Sequence, residues 1–88
     1  MIRKHYLFNG TVQGVGFRYR AVMAAREFGV TGWIENQWDG SVLMEAQGDE
    51  ADLEKMIVRL GQSRFGRIEK AESRILPLVE GERRFIVR

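Results

Sequence analysis

The sequence HYLFNGTVQGVGFR, residues 5–18, decides the fold because a strand pattern changes there into a helix pattern. Its first eight residues, HYLFNGTV, are rich in β-formers. Alternation places Tyr6, Phe8 and Val12 on one face, which predicts a strand. Gly10 interrupts this alternating pattern and is a candidate for a β-bulge. A glycine-containing turn is expected to follow the strand, beginning at residue 13.

Two segments have the pattern of amphipathic helices. The apolar residues of the first recur at steps of three and four: Phe17, Ala21, Ala24, Ala25 and Phe28. Gly29 is predicted to end that helix, because glycine adopts the left-handed conformation common at a C-terminal cap. The second helix is predicted to begin after Asp49 as N-cap, with acids in its first turn, and to end at Gly61. Its apolar stripe consists of Leu53, Met56, Ile57 and Leu60.

Four further segments have the composition of strands: Val30–Asn36, Ser41–Gln47, Ile68–Leu76 and Phe85–Val87. Gln37-Trp38-Asp39-Gly40 joins the first two, and its Asp-Gly pair is a hairpin-turn signal. The order is therefore strand, helix, strand, strand, helix, strand and a short extra strand. Each helix has one apolar stripe that a single sheet face can cover. The expected fold is α+β: a ferredoxin-like βαββαβ sandwich with both helices on one face of a mostly antiparallel sheet.

Composition limits the function as well as the fold. The chain has 88 residues and a hydrophobic fraction of 44%, which predicts a single domain over residues 1–88. It has no cysteine, which excludes disulfides, thiolate nucleophiles and cysteine-ligated zinc. Its one histidine, His5, has no acidic partner nearby in sequence, so we expect neither a Ser-His-Asp site nor a histidine-rich metal site. No apolar run approaches the roughly 20 residues of a membrane span, and Met1–His5 lacks the uninterrupted apolar stretch typical of a signal peptide. We expect a cytoplasmic protein without a membrane partner.

The turn Gln13-Gly14-Val15-Gly16-Phe17-Arg18 is the most informative candidate site. Such a turn exposes backbone N–H groups, glycines let the backbone approach a ligand closely, and a helix N-terminus favours an anion. Arg18, in the first helical turn, can bind the same anion through two parallel hydrogen bonds. From the local pattern alone, a tight strand–helix connection with a solvated arginine is an equal alternative.

Asn36, at the end of the second predicted strand, is the other candidate. A carboxamide both donates and accepts hydrogen bonds, which suits the fixing of a water molecule. Asparagine also starts turns by bonding to its own backbone, and without other observations that reading is preferred. Of the two tryptophans, Trp33 is predicted in the core and Trp38 in an exposed turn, while His5 is predicted on the strand surface.

Matched segments through the first half of the chain resemble the acylphosphatase family: Gly10-x-Val12-Gln13-Gly14-Val15-Gly16-Phe17-Arg18, Gly29-Val30-x-Gly32-Trp33-Ile34-x-Asn36, Asp39-Gly40-Ser41-Val42, and Gly48. The resemblance implies hydrolysis of acyl phosphates to a carboxylate and inorganic phosphate, without a metal or other cofactor. It implies that the loop Gln13–Phe17 binds phosphate through backbone amides and that Arg18 binds it by side chain. It also implies that Asn36 orients the attacking water.

The chain departs from the family pattern at two places. Glu35 occupies a position that is often basic, and Gly61-Gln62-Ser63 replaces a frequent Gly-Pro pair. Because a solvated strand edge screens charge, we expect Glu35 to alter substrate affinity without abolishing activity. The last 25 residues resemble the family weakly, mainly in Phe85-x-Val87, so the pairing of the final strands is left open.

The absence of a nucleophile fits the implied reaction. The leaving group of an acyl phosphate is a carboxylate, which is stable at neutral pH, so water can attack directly without a general acid. One alternative is a non-catalytic phosphate-binding module of the same fold, and another is a domain that handles carbamoyl phosphate, which the length of the chain disfavours. RNA binding is disfavoured because Ser41–Gln47 contains no aromatic residue. We expect a monomer whose partners are the substrate and phosphate, not nucleic acid.

Overall fold

A computed structural model describes residues 1–64 and 66–88. Its strands and helices follow the order β1 Ile2–Thr11, α1 Phe17–Phe28, β2 Thr31–Asn36, β3 Val42–Gly48, α2 Glu50–Leu60, β4 Arg67–Leu76 and β5 Phe85–Val87. The strands form one sheet in the order β4-β1-β3-β2-β5, in which β5 runs parallel to β2 and the other pairs are antiparallel. The predicted ferredoxin-like arrangement with an additional C-terminal strand is confirmed.

Strand β1 lies between β3 and β4, and its pairing with β4 contains the expected irregularity at Gly10. The register shifts between Asn9 and Gly10, so that Glu69 of β4 has no partner in β1. A Cβ atom at Gly10 would lie 2.2 Å from the carbonyl oxygen of Arg67 and 2.7 Å from the nitrogen of Glu69. Because only glycine permits this approach of the two backbones, Gly10 is required for the bulge.

The core lies between the two helices and one face of the sheet. The predicted faces are buried there, with Phe28 and Ile57 only partly covered. At the centre, Phe17 at the start of α1 packs edge-to-face against Phe8 of β1, with ring centroids 5.4 Å apart. The Tyr6 ring is stacked with that of Phe8, with centroids 5.8 Å apart, and burial raises the pKa of the Tyr6 hydroxyl to about 12. Burial of Phe17 fixes where α1 begins and so fixes the loop before it.

The opposite face of the sheet holds a buried arginine. Arg3 is 2% exposed, and its Nε donates to Glu45 Oε1 at 2.9 Å. Its Nη1 donates to Glu82 Oε1 at 2.8 Å and to Gln47 Oε1 at 3.3 Å. Burial alone would lower the pKa of Arg3, but the hydrogen bonds to Glu82 and Glu45 outweigh that effect and raise it. Through these hydrogen bonds, Arg3 links β1 to β3 and to the β4–β5 connection.

One local expectation, the core position of Trp33, needs correction. Trp33 lies outside the core: it is half-buried on the Arg3 face of the sheet, with the Arg88 guanidinium 4.2 Å from its ring centroid. Gly29 has the predicted left-handed φ of 68°, whereas Gly61 ends α2 with a right-handed φ of −77°. Asp49 is the N-cap residue of α2, yet its side chain makes no capping hydrogen bond. Trp38 is 97% exposed in its turn, as predicted.

Candidate active site

The loop between β1 and α1 has the backbone geometry of an anion-binding turn. Gly14 and Gly16 adopt φ angles of 73° and 76°, and Gly16 is the N-cap of α1. Nothing lies within 4 Å of a Cβ atom built at either glycine, so the backbone conformation and not space requires glycine there. No acidic residue occurs in the first turn of α1, where backbone N–H groups have no intrahelical acceptor. The loop therefore presents uncompensated donors and the positive end of a helix dipole.

The side chain of Gln13 joins this loop to the turn that follows β2. Its Nε2 donates to the carbonyl oxygen of Gln37 at 2.7 Å and to that of Ser41 at 2.8 Å. Both hydrogens of the amide nitrogen are thereby engaged. Gln13 was predicted among the phosphate-binding residues, and this engagement restricts any such role to its backbone N–H. The side chain instead sets the distance between the loop and the end of β2, where Asn36 lies.

The turn after β2 is itself held by Asp39. The Ser41 hydroxyl donates to Asp39 Oδ1 at 2.6 Å, and the Ser41 backbone N–H donates to the same atom at 3.0 Å. Both hydrogen bonds lower the pKa of Asp39, and the one from the Ser41 hydroxyl has the larger effect. Asp39 thus has the predicted turn role, and it keeps the carbonyl of Ser41 in place for Gln13.

Arg18 and Asn36 line the same surface cavity of about 470 Å³, together with Gly14, Gly16 and Phe17. Arg18 is half-buried, and within residues 1–64 and 66–88 no carboxylate or other acceptor binds its guanidinium. Asn36 Oδ1 is buried and has no donor in that same part of the chain. A cation without a counter-ion and an acceptor without a donor therefore face one cavity beside a helix N-terminus.

Val15 and Glu35 are near this cavity in sequence but do not line it. The Val15 side chain packs instead towards the core and Gly66, where a Cβ atom would lie 2.8 Å from Val15 Cγ2. Glu35 precedes Asn36 on β2, so alternation turns it to the opposite face of the sheet. Because Glu35 lies on the other face of the sheet from Asn36, its negative charge does not line the cavity.

Arg20 also lies on α1, but its side chain packs against the rest of the protein. The sequence pattern did not identify this residue. Its Nη1 donates to the carbonyl of Leu60 at 3.2 Å, at the C-terminal end of α2, and its guanidinium lies 5.5 Å from the Phe17 ring centroid. Burial lowers the pKa of this group. Two residues correspond to about 200° around a helix, so Arg18 and Arg20 point in opposite directions. Of these two arginines, Arg18 lines the cavity and Arg20 does not.

The described residues contain neither a cluster of metal ligands nor a membrane-spanning helix. Across residues 1–64 and 66–88, no three histidine, aspartate or glutamate side chains cluster as metal ligands. None of the helices in those ranges is both long and apolar enough to cross a membrane.

The chain is similar to known proteins over nearly its whole length. The family model described as Acylphosphatase matches residues 4–87. An acylphosphatase of Clostridium perfringens is 41% identical over 97% of this chain and 97% of its own length. The crystal structure of acylphosphatase from Bacillus subtilis superposes with a TM-score of 0.92, at 31% identity, over 100% of this chain and 99% of that one. T. kodakarensis HypF is also similar, at 30% identity with a TM-score of 0.86, but the match covers only 12% of that longer chain.

Proposed function

This chain belongs to the acylphosphatase family, and from that premise we propose how its residues hydrolyse the carboxyl–phosphate bond of an acyl phosphate. The products are a carboxylate and inorganic phosphate. The observation that carries the proposal is the joint presence of unpaired Arg18 and unpaired Asn36 Oδ1 in one cavity beside the glycine loop.

The phosphoryl group binds in the loop Gln13–Phe17. Backbone N–H groups of the loop and of the first turn of α1 donate to its oxygens, and the positive helix end favours its charge. Arg18 donates two parallel hydrogen bonds to the same group. Negative charge spreads over the equatorial oxygens as the bond to the leaving group lengthens, so these fixed donors bind the transition state more tightly than the substrate.

Asn36 positions the attacking water. Its Oδ1 accepts a hydrogen bond from the water, which supplies the donor that this buried atom lacks. The water oxygen forms a bond to phosphorus while the bond from phosphorus to the acyl oxygen breaks, and the carboxylate leaves with that electron pair. The proton of the water passes to a phosphate oxygen or to solvent. No general acid is needed because the leaving carboxylate is already a stable anion at neutral pH.

Hydrolysis of benzoyl phosphate by the purified protein, with and without a chelator, tests the proposal. Arg18→Ala should lower the affinity for phosphate and kcat together, whereas Asn36→Ala should lower kcat and leave inhibition by phosphate nearly unchanged. Arg67→Ala, which removes an exposed arginine from β4, is the matched control and should retain activity. An equal loss of phosphate affinity in the Arg18 and Asn36 variants would contradict this division of roles. Phosphate binding by a folded wild type without turnover would favour a binding module instead.

We also propose that the protein acts as a monomer in the cytoplasm and does not bind nucleic acid. The chain has no cysteine, so a reducing compartment does not affect its folding. The face of β3 that an RNA-binding sheet would use carries Leu43, Glu45 and Gln47 instead of aromatic residues. Light scattering during size exclusion and a salt-dependent RNA-binding assay would test these two points.

A further inference from the structure

The cavity of Arg18 continues along α1 beyond the residues that the mechanism uses. Tyr19, Val22 and Arg26 of α1 line this extension, together with Val87 of β5. Arg18, Val22 and Arg26 are spaced four residues apart and therefore form one stripe on the helix, with steps of about 6 Å. A ligand whose phosphate is bound at the start of α1 has room to extend along this stripe.

Arg26 is the charged residue at the far end of the extension. In residues 1–64 and 66–88 it has no ion pair, although its neighbour Glu27 is bound to Arg59 of α2. Side chains on a helix lean towards its N-terminus, so Arg26 is directed back along the stripe towards Val22. The extension thus has an apolar middle, formed by Val22 and Val87, and an unpaired cation at its end.

We infer that this extension binds the acyl half of the substrate and that Arg26 selects acyl groups that carry a second anion, such as a carboxylate. The inference rests on the proposed function, because it places the phosphoryl group at Arg18. The carbon skeleton then lies against Val22 and Val87, and the distal anion accepts hydrogen bonds from the Arg26 guanidinium. The effect on binding is modest, because Arg26 is exposed and solvent weakens its attraction for the anion.

Matched aromatic substrates separate this recognition from catalysis. 4-Carboxybenzoyl phosphate and its neutral amide analogue, 4-carbamoylbenzoyl phosphate, share their size and reacting group. In the wild type we expect kcat/KM to favour the carboxylate by about fivefold, mainly through KM, and 1 M salt to reduce that preference. Arg26→Gln should bring the ratio to about one, and Arg26→Glu should invert it, because only the charge that faces the distal group changes.

Arg83→Gln is the control for overall charge. Arg83 is exposed in a different surface depression, on the β4–β5 connection beside Trp33, and its removal should leave the fivefold ratio intact. A ratio that persists in Arg26→Gln, or that falls equally in Arg83→Gln, would overturn the inference.

A binding measurement keeps the inference separate from the proposed function. By calorimetry, 4-carboxybenzylphosphonate, which cannot be hydrolysed, should bind the wild type more tightly than 4-carbamoylbenzylphosphonate and should lose that advantage in Arg26→Gln. Absence of benzoyl phosphate hydrolysis would refute the proposed function, while equal affinities of the two phosphonates for the wild type would refute the role of Arg26.

Discussion

Arg3 and Arg18 lie towards opposite ends of the sheet, and in the described residues only the guanidinium of Arg3 has carboxylate partners. Arg3 pairs near the end of β3 and donates to Glu45, Glu82 and Gln47, while its side chain is only 3% exposed. Arg18 lies near the start of β3, half-buried beside a helix N-terminus, and no carboxylate in the described residues binds it. The two arginines differ in burial and in partners: Arg3 is buried with two carboxylates and holds strands together, whereas half-buried Arg18 has none in the described residues and is available to a ligand.

The largest expected effects come from replacing each arginine by methionine, which retains an unbranched apolar side chain. Arg18→Met should reduce kcat/KM for benzoyl phosphate by about a thousandfold, because a donor to the transition-state charge is lost. Arg3→Met should instead reduce the free energy of unfolding by about 2–3 kcal/mol, because it leaves Glu45 and Glu82 partly buried without their cation. Steady-state kinetics and urea denaturation, run on both variants, measure the two effects.

Each variant should be impaired in only one of the two assays. Arg3→Met should keep wild-type kinetics below its unfolding transition, and Arg18→Met should keep the wild-type urea midpoint or exceed it, since no ion pair is lost. Loss of activity in folded Arg3→Met would show that the two ends of the sheet are coupled. It would contradict a purely structural role for Arg3.

A smaller effect is expected at Gln13, whose side chain connects the glycine loop to the turn after β2. Gln13→Ala should lower kcat about tenfold with little change in KM, because the water at Asn36 would be misplaced relative to phosphorus. Gln13→Glu should be less stable than Gln13→Ala, because a carboxylate would face the carbonyls of Gln37 and Ser41. Comparison of kcat with KM is decisive here: a rise in KM alone would mean that Gln13 serves phosphate binding and not the placement of Asn36.

The smallest effect is expected at the exposed pair of Arg59 and Glu27, which joins α2 to α1. The hydrogen bond from Arg59 lowers the pKa of Glu27, so the pair stabilises the fold above the unfolded-state pKa of Glu27. That contribution is lost as pH falls through the lower folded-state pKa. Arg59→Ala should therefore shift the unfolding temperature by no more than about 2 °C at neutral pH, and by less at low pH. A larger shift would show that burial of the partners does not explain why the ion pairs of Arg3 stabilise the fold more than the exposed pair does.

The order of the elements was predictable because it depends on local signals. Alternation in β1, the three- and four-residue steps of α1 and the glycine at its end are all contained within short segments. The core position of Trp33 was wrong because alternation places it on the opposite face of β2 from buried Ile34. The start of β1 was missed because Arg3 and Lys4 resemble a solvated terminus in sequence.

The site was predictable only in part. Arg18 and Asn36 follow from the family resemblance, and the structure brings both to one cavity. The acceptors of Arg3 are 42, 44 and 79 residues away, and those of Gln13 are 24 and 28 residues away, so no local pattern contains them. The place of Arg26 beside Val87 likewise requires the pairing of β5 with β2. Such contacts depend on tertiary register, which periodicity does not determine.

Strand β4 has a consequence for how concentrated the protein can become in solution. It forms one margin of the sheet, ten residues long, and nearly all of its residues are exposed. A strand of this length with an unpaired side can template the addition of a strand from another molecule, which leads to aggregation. Five of its ten residues are charged, with both signs, and the bulge opposite Gly10 interrupts its straight course. Colloidal stability of the protein therefore depends on the charges of β4, a strand that contributes no residue to the cavity of Arg18 and Asn36.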